Sequence, residues 1–158
     1  IYAEVLGAGA SNDAVNIVGP DEAGEVVAVA AALRDAGVEA GAIDYVNAHG
    51  TSTDANDANE TAVLKRVFGE RAPTIPVSSI KGHLGHTMGA AGAIDLAATA
   101  LTLTHQRIPP TAHFVPGDER CDLDYVPEGP RGAKINVAMS NSFGFGGQNS
   151  VVVLKRAD

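Results

Sequence analysis

The sequence predicts an α/β domain in which helices pack against a mixed five-stranded sheet. Apolar segments of strand length alternate along the chain with longer segments whose apolar residues recur at helical spacing, which is typical of layered α/β domains. The last two strand segments are joined by a link too short for a helical crossover, so we expect them to be antiparallel neighbours. With 158 residues, 45% of them hydrophobic, the chain is long enough to bury one core.

Five short apolar segments are predicted to form the strands. They are residues 1–6, 43–47, 75–79, 135–140 and 149–155. The run of small and polar residues at 7–12 predicts a loop after the first strand. Residues 111–133 are rich in Pro, Asp and Gly and are predicted to be irregular, and so long a loop favours a role at a surface or an interface.

Three longer segments are predicted to be helices, at residues 21–36, 54–68 and 89–105. The first has apolar residues at helical spacing, and Gly37 is placed to end it. The second has acidic residues early and basic residues late, as the helix dipole prefers. The third consists mainly of small residues that allow close packing against a sheet, and two prolines follow it.

The composition argues against several classes of function. A net charge of −8 disfavours nucleic acid as a partner, because phosphate binding needs a basic face. The single cysteine, Cys121, cannot form an intrachain disulfide or a cysteine metal cluster. No apolar run approaches the roughly 20 residues of a membrane helix, and Ile1 begins a strand rather than a signal peptide. We therefore expect a cytoplasmic protein without membrane association, and a chain that is part of a larger protein.

Three glycine-rich loops follow predicted strands, at residues 47–53, 78–86 and 141–147. Ligands of open α/β sheets bind at the carboxyl ends of strands, so these loops could converge on one pocket. His49 and His86 are the candidate functional residues, because each lies beside glycine in a similar loop.

Other interpretations of the histidines and of the glycine-rich loops are also considered. A histidine in a loop is more often a surface or capping residue, which is how we interpret His83, His105 and His113. A metal site made of His49, His83 and His86 is disfavoured, because the segment that carries the last two has no carboxylate. The chain has no nucleotide-binding glycine motif, so no nucleotide cofactor is expected.

The motifs, in their order, resemble those of the β-ketoacyl synthases. Asn-Ala-His-Gly-Thr-Ser-Thr at residues 47–53, with Glu60 downstream, resembles the family's first histidine motif. Residues 81–93, from Lys81 through Gly-His to the Gly-Ala-Ala-Gly-Ala run, resemble its lysine and second histidine motif. The Asn-Ser-Phe-Gly-Phe-Gly-Gly loop at 141–147 and the segment 121–127 also resemble the family. The resemblance covers essentially the whole chain and indicates the fatty-acid elongation type, similar to synthase II.

This resemblance implies a thiolase-like fold of two similar halves, of which the chain would be the C-terminal half, a single domain over residues 1–158. In the family the nucleophilic cysteine belongs to the N-terminal half, and Cys121 matches a non-catalytic position. Acyl carrier protein is the implied partner, and it would bring the substrate on its phosphopantetheine, so no bound cofactor is expected. The full-length form is expected to be a homodimer, and the chain alone is expected to be inactive.

The implied reaction is the decarboxylative Claisen condensation of fatty acid or polyketide biosynthesis. Malonyl-acyl carrier protein loses CO₂, and its carbanion attacks an acyl thioester on the cysteine to give 3-oxoacyl-acyl carrier protein. His49 and His86 are expected to donate N–H groups to the malonyl thioester oxygen, where negative charge develops. We expect Lys81 and Glu60 to form an ion pair that fixes the two histidine loops.

The third loop and two threonines are the expected substrate contacts. The backbone N–H of Phe145 would form part of an oxyanion hole, and its ring would gate the acyl pocket. The alternative for Phe145 is a core residue in a tight turn. The hydroxyls of Thr51 and Thr53 would hold the phosphopantetheine amides. The remaining substrate-binding candidates are Phe143, Gly144 and Gly146.

Two other functions are weighed against the condensing enzyme. Some relatives of condensing enzymes lack the cysteine and act as non-catalytic partner subunits of the chain-length-factor type. The presence of His49, Lys81 and His86 together favours the enzyme. The same pattern argues against a degradative thiolase, which does not decarboxylate its substrate.

Overall fold

The predicted α/β fold with a mixed sheet is confirmed by the computed structural model, which describes residues 1–157. The strands are β1 (Ala3–Asn12), β2 (Tyr45–Asn47), β3 (Val77–Ser78), β4 (Arg107–Ile108), β5 (Arg131–Gly132), β6 (Val137–Gly144) and β7 (Gln148–Arg156). The α-helices are α1 (Glu22–Ala36), α2 (Asp54–Phe68), α3 (Lys81–Leu84) and α4 (Ala91–His105). No helix among the described residues is long and apolar enough to cross a membrane.

Five strands form the main sheet, in the order β1-β7-β6-β2-β3. The strands β6, β2 and β3 are parallel to one another, whereas β7 is antiparallel to both of its neighbours. The predicted antiparallel pairing of the last two strands is therefore confirmed. Because β2, β3 and β6 are parallel, their carboxyl ends and the loops that follow lie at the same edge of the sheet.

The first strand is longer than predicted, and the expected loop at residues 7–12 is wrong. These residues continue β1 and pair with β7 as far as Asn12. A Cβ on Gly7 would lie 2.3 Å from the backbone nitrogen of Ala36, and one on Gly9 would lie 2.2 Å from the backbone oxygen of Ala28. The two glycines therefore allow α1 to lie close against β1, and they do not form a turn.

The predicted helices form with small changes at their ends. The helix α1 is capped by Asp21, whose side chain accepts the N–H of Gly24 at 2.8 Å, and it ends at Gly37 with φ of 65°. The bounds of α2 are those predicted, and Thr53 caps it. A 3₁₀ turn, Met88–Ala90, precedes α4.

Three further differences from the prediction concern short elements. The second and third strands are shorter than predicted, because only Tyr45–Asn47 and Val77–Ser78 pair with neighbouring strands. The segment 78–86 contains a helical turn, α3. The irregular segment 111–133 is closed by the pairing of β5 with β4, which tethers its end to the chain after α4.

Helices cover both faces of the sheet, as the side-chain alternation in its strands shows. In β6, Ala138 packs in a cluster with Leu103 of α4. The next residue, Met139, packs in the other cluster, with Val29 of α1 and Leu64 of α2. Successive residues of a strand point to opposite faces, so α4 covers one face and α1 and α2 cover the other.

Candidate active site

The structure brings His49 and His86 together at the carboxyl edge of the sheet. His49 follows β2, and His86 lies two residues after α3. Their ring centroids are 5.5 Å apart and the ring planes are nearly perpendicular, at 84°. His49 is buried, with 7% of its surface exposed, whereas His86 is exposed.

The third glycine-rich segment, 141–147, completes the same site, although the predicted loop is wrong for residues 141–144, which continue β6. Phe143, near the end of β6, packs its ring against His49 with centroids 6.0 Å apart. A cavity of about 690 Å³ is lined by His49, His86 and Phe143, together with Phe145 from the hairpin. The predicted convergence of the three loops is confirmed.

The surroundings of His49 keep its imidazole ring neutral. Burial, the charge of Lys81 and the neighbouring His86 lower the pKa of His49 to about 3. Its Nδ1 is enclosed without a hydrogen-bond partner, and none of the hydrogen bonds within residues 1–157 uses its Nε2. Near neutral pH the ring is therefore uncharged and carries one N–H.

The tautomer of a neutral His86 is set by a hydrogen bond from the backbone of Met88. The N–H of Met88 donates to Nδ1 of His86 over 3.2 Å. Because Nδ1 accepts this bond, the proton of the neutral ring lies on Nε2. The loop geometry thus leaves an N–H donor of His86 free for a ligand.

Glu60 holds the loop that carries His49. The buried Glu60 carboxylate accepts the backbone N–H groups of His49 and Gly50, each at 2.9 Å, and the side-chain N–H of Asn141 at 3.0 Å. Burial raises the pKa of Glu60 above its usual value, and these donors act in the opposite direction. The carboxylate therefore joins α2, the first histidine loop and β6. Asn141 was not a candidate, although it lies in the third motif.

The predicted ion pair between Lys81 and Glu60 is wrong. The ammonium group of Lys81 lies 2.8 Å from a carboxylate oxygen of Asp95, and both side chains are buried. Both oxygens of Glu60 are already used by N–H donors of the first loop. Lys81 begins α3, and its partner Asp95 lies on α4. No ion pair joins Lys81 to Glu60 within residues 1–157.

Asp95 is a functional candidate that the sequence reasoning missed. Its backbone oxygen also accepts the side-chain N–H of Asn47 at 2.7 Å, so α4 is tied to the end of β2. The available signal was a single carboxylate in a helix made mainly of small and apolar residues. Buried charges are almost always paired, so such a residue indicates a buried cation nearby.

Thr51 and Thr53 both line the cavity, next to His49. Their hydroxyl oxygens are 2.9 Å apart, and Thr53 also accepts the N–H of Asn56 at 3.4 Å as the cap of α2. Thr53 thus has a structural role that the sequence reasoning missed. The contact of both hydroxyls with phosphopantetheine stays a prediction.

The hairpin between β6 and β7 exposes Phe145. With 75% of its surface exposed, Phe145 is not a core residue, so that alternative is wrong. Gly144 ends β6, and Gly146 donates its N–H to the backbone oxygen of Ile17 at 2.8 Å. Gly146 and Gly147 both have φ of 79°, a conformation that favours glycine. The turn therefore needs glycine, while the gating role of Phe145 stays a prediction.

His83 lies outside the histidine pair. Its Nε2 is 3.2 Å from the backbone oxygen of Pro110, and the residue is exposed, in agreement with a surface role. Within the described part of the chain, no group of three or more His, Cys, Asp and Glu residues is arranged to hold a metal ion.

Comparison with known proteins identifies the family. A family model described as "Beta-ketoacyl synthase, C-terminal domain" matches residues 2–115, which is more than half of the chain. The chain belongs to the β-ketoacyl synthase family. Its sheet and helices are accordingly the C-terminal half of a thiolase-like fold.

Relatives of this β-ketoacyl synthase domain match it almost end to end. Nodulation protein E of Rhizobium meliloti is 46% identical over 156 residues, covering 99% of this chain and 39% of that protein. The 3-oxoacyl-[acyl-carrier-protein] synthase 2 of Coxiella burnetii is 46% identical over 158 residues, covering 99% of this chain and 38% of that protein. The chain thus spans about two fifths of the curated relatives it matches.

A solved structure shows the same backbone. It contains a type II PKS acyl-carrier protein in complex with its ketosynthase, bound to the hexaketide. The likeness has a TM-score of 0.96 at 37% sequence identity and covers 100% of this chain and 39% of that one.

Proposed function

We propose that this domain forms the C-terminal part of a condensing enzyme of fatty acid or polyketide biosynthesis. The reaction is the decarboxylative Claisen condensation of malonyl-acyl carrier protein with an acyl-enzyme thioester, which gives 3-oxoacyl-acyl carrier protein. The observation that carries this proposal is the pair formed by a neutral His49 and His86, with ring centroids 5.5 Å apart, at one cavity.

The histidine pair suits the step in which CO₂ leaves. The bond between the malonyl carboxylate and its α-carbon breaks, CO₂ departs, and the electron pair passes into an enolate whose oxygen becomes negative. Two N–H donors held beside that oxygen stabilise its negative charge without having to reorient during the reaction. One such donor lowers the activation free energy by about 3–4 kcal/mol in known cases. The enolate carbon then attacks the acyl thioester, and the cysteine leaves as thiolate.

Lys81 supports this chemistry without touching the substrate. Its positive charge lowers the pKa of His49, so that His49 stays a neutral donor. Asp95 balances the Lys81 charge at 2.8 Å, which allows both to be buried. The nucleophilic cysteine is expected from the N-terminal part of the enzyme.

Acyl carrier protein is the proposed partner, in a cytoplasmic homodimer. The similarity to a ketosynthase that was solved with its acyl-carrier protein supports this partner. Phosphopantetheine would enter along Thr51 and Thr53, which line the cavity beside the histidines. The Phe145 N–H would bind the acyl thioester oxygen. No other cofactor is required by this chemistry.

The chain-length-factor alternative is less well supported. A non-catalytic subunit has no need for two N–H donors beside one cavity, or for a buried Lys81–Asp95 pair that keeps one of them neutral. The geometry therefore favours the enzyme.

The test is His86→Ala in the full-length protein that contains this chain. We expect malonyl-acyl carrier protein decarboxylation to fall by about 100-fold or more, because one enolate donor is lost. Transfer of the acyl group to the enzyme should stay measurable, because His86 acts only in the second half-reaction. Release of radioactive CO₂ and mass spectrometry of the acyl-enzyme report the two steps.

His83→Ala is the matched control, since His83 lies three residues earlier and is exposed. It should leave both steps unchanged. Loss of acylation with decarboxylation retained in His86→Ala would overturn the assignment, and a wild-type protein without either step would overturn the proposed function.

A further inference from the structure

Glu25, in the first turn of α1, is a buried carboxyl group without a partner. Only 1% of its surface is exposed, and neither of its oxygens makes a hydrogen bond within residues 1–157. A buried carboxylate with no cation or N–H donor is costly, whereas a neutral carboxylic acid is much less so. The site described above makes no use of this residue, although Glu25 lines the same cavity as His49.

The charged groups that shift the pKa of Glu25 most are acidic. They are Glu60 from α2, Asp13 from the loop after β1, and Asp21 at the start of its own helix. Arg66 of α2 also lies at this end of α1, where it is paired with Glu22.

Burial and then the charge of Glu60 raise the pKa of Glu25 to about 8, while the nearby side-chain amide of Asn59 acts in the opposite direction. The Nδ2 of Asn59 is itself buried and does not reach a hydrogen-bond partner within residues 1–157.

The strands that also pack against α1 bring no cation to this end of the helix. Their titratable residues are Glu4, Lys155 and Arg156. These pair near the opposite end of the β1–β7 ladder from Ser11, whose hydroxyl contacts the backbone oxygen of Gly24.

Burial raises the pKa of both Glu60 and Glu25, but the hydrogen bonds of Glu60 favour the charge on Glu60. One of its oxygens accepts from His49 and Asn141, and the other accepts from Gly50. Each partner is an N–H donor, so a proton on Glu60 would face donors instead of acceptors. Two carboxylates in one buried space disfavour double ionisation, and the neutral member is therefore Glu25.

We propose that Glu25 is a positioning residue for His49. As a neutral carboxylic acid it leaves Glu60 ionised and bound to the His49 loop, and the loss of its proton in alkaline solution weakens that hold. The catalytic consequence rests on the proposed function, whereas the structural consequence does not.

The first test compares decarboxylation by the full-length wild type and Glu25→Gln, whose amide has the size of the acid and no charge. Above about pH 8 the wild-type rate should fall by up to tenfold per pH unit as the proton is lost. The ratio of the rate at pH 9.5 to that at pH 7 should be about fivefold or more higher in Glu25→Gln than in the wild type.

The second test follows the ring N–H and C–H signals of His49 by NMR over the same pH range. Because the pKa of His49 is about 3, its own ring does not titrate there. A change in these signals centred near pH 8 in the wild type, and absent in Glu25→Gln, is the expected result.

The third test is thermal unfolding. The pKa of Glu25 rises from 4.5 to about 8 on folding, so the folded state retains a proton that the unfolded state loses. Stability should then fall as pH rises from about 4.5 to about 8 and level off above it. The Tm gain of Glu25→Gln over the wild type should grow across that window.

Glu22→Gln is the matched control, because Glu22 lies on the same helix, has 41% of its side chain exposed and pairs with Arg66 at 3.1 Å. It should reproduce the wild type in all three measurements. Parallel pH profiles and unchanged His49 signals in Glu25→Gln would overturn the inference. A wild type that shows the NMR change but decarboxylates at no pH would instead overturn the proposed function.

Discussion

At the scale of single residues, the site depends on where charge is buried. Lys81 and Asp95 form an ion pair in which 6% and 2% of the side chains are exposed. Removing one partner of a buried pair leaves an unpaired charge, which costs far more than losing an exposed pair. The pair therefore constrains both the stability of the fold and the protonation state of His49.

Lys81→Met should lower the free energy of unfolding by about 3–5 kcal/mol, because Asp95 is left buried and unpaired. The double variant Lys81→Met/Asp95→Leu should recover much of that loss, since no buried charge is left. In the double variant the pKa of His49 should rise, because a positive neighbour is gone. Urea denaturation and NMR titration of His49 measure the two effects.

Lys65→Met provides the comparison, since Lys65 pairs with Asp122 on the surface with 41% and 53% of the side chains exposed. It should cost no more than about 1 kcal/mol. Equal losses for Lys81 and Lys65 would contradict the buried-pair argument.

At the scale of elements, glycines in β1 set how closely α1 can approach the sheet. Gly9→Ala should destabilise the protein by about 1–3 kcal/mol, because its Cβ would lie 2.2 Å from a backbone oxygen of α1. Gly132→Ala in β5 is the control, since its Cβ would meet nothing within 4 Å. Denaturation curves that place both variants within about 0.5 kcal/mol of the wild type would show that α1 can move away without cost.

The β6–β7 hairpin carries the second prediction at this scale. Phe145 is 75% exposed, so Phe145→Ala should change the free energy of unfolding by less than about 1 kcal/mol. If its ring gates the acyl pocket, the variant should alter the acylation rate and the acyl chain-length profile of the full-length protein.

Phe68→Ala is the comparison for that variant, because Phe68 is 8% exposed and packs in the core. It should cost about 3–5 kcal/mol and leave the chain-length profile unchanged. A stable Phe145→Ala variant with the wild-type acylation rate and profile would end the gating hypothesis.

At the scale of the whole molecule, the fold places three loops from separate parts of the sequence at one edge of a sheet. The order β6-β2-β3, all parallel, makes this unavoidable once those strands pair. Glu60 then reaches from α2 to the first loop and to β6, and Asp95 reaches from α4 to Lys81. The helices α2 and α4 thus each contribute a carboxylate that holds a residue of one of the two histidine loops.

The sequence by itself determined the alternation of strands and helices, the histidine motifs and the family resemblance. These features depend on residues close together in the chain: the helical spacing in α1, Gly37 at its end, and the glycine beside His49. Local geometry translates them directly into structure.

Only the tertiary structure decided which groups meet across elements. Glu60 and Asp95 are both acids on helices, and nothing in their spacing from Lys81 selects between them. Asp95 of α4 lies beside Lys81 of α3, and the packing of α1 against α2 brings Glu25 towards Glu60. The glycines of β1 were misjudged for the same reason. Glycine occurs both in turns and where a helix lies close against a strand, so the sequence alone does not distinguish the two. Which side chains meet depends on the relative positions of whole helices and strands. Burial of the core sets those positions, and no short stretch of sequence predicts them.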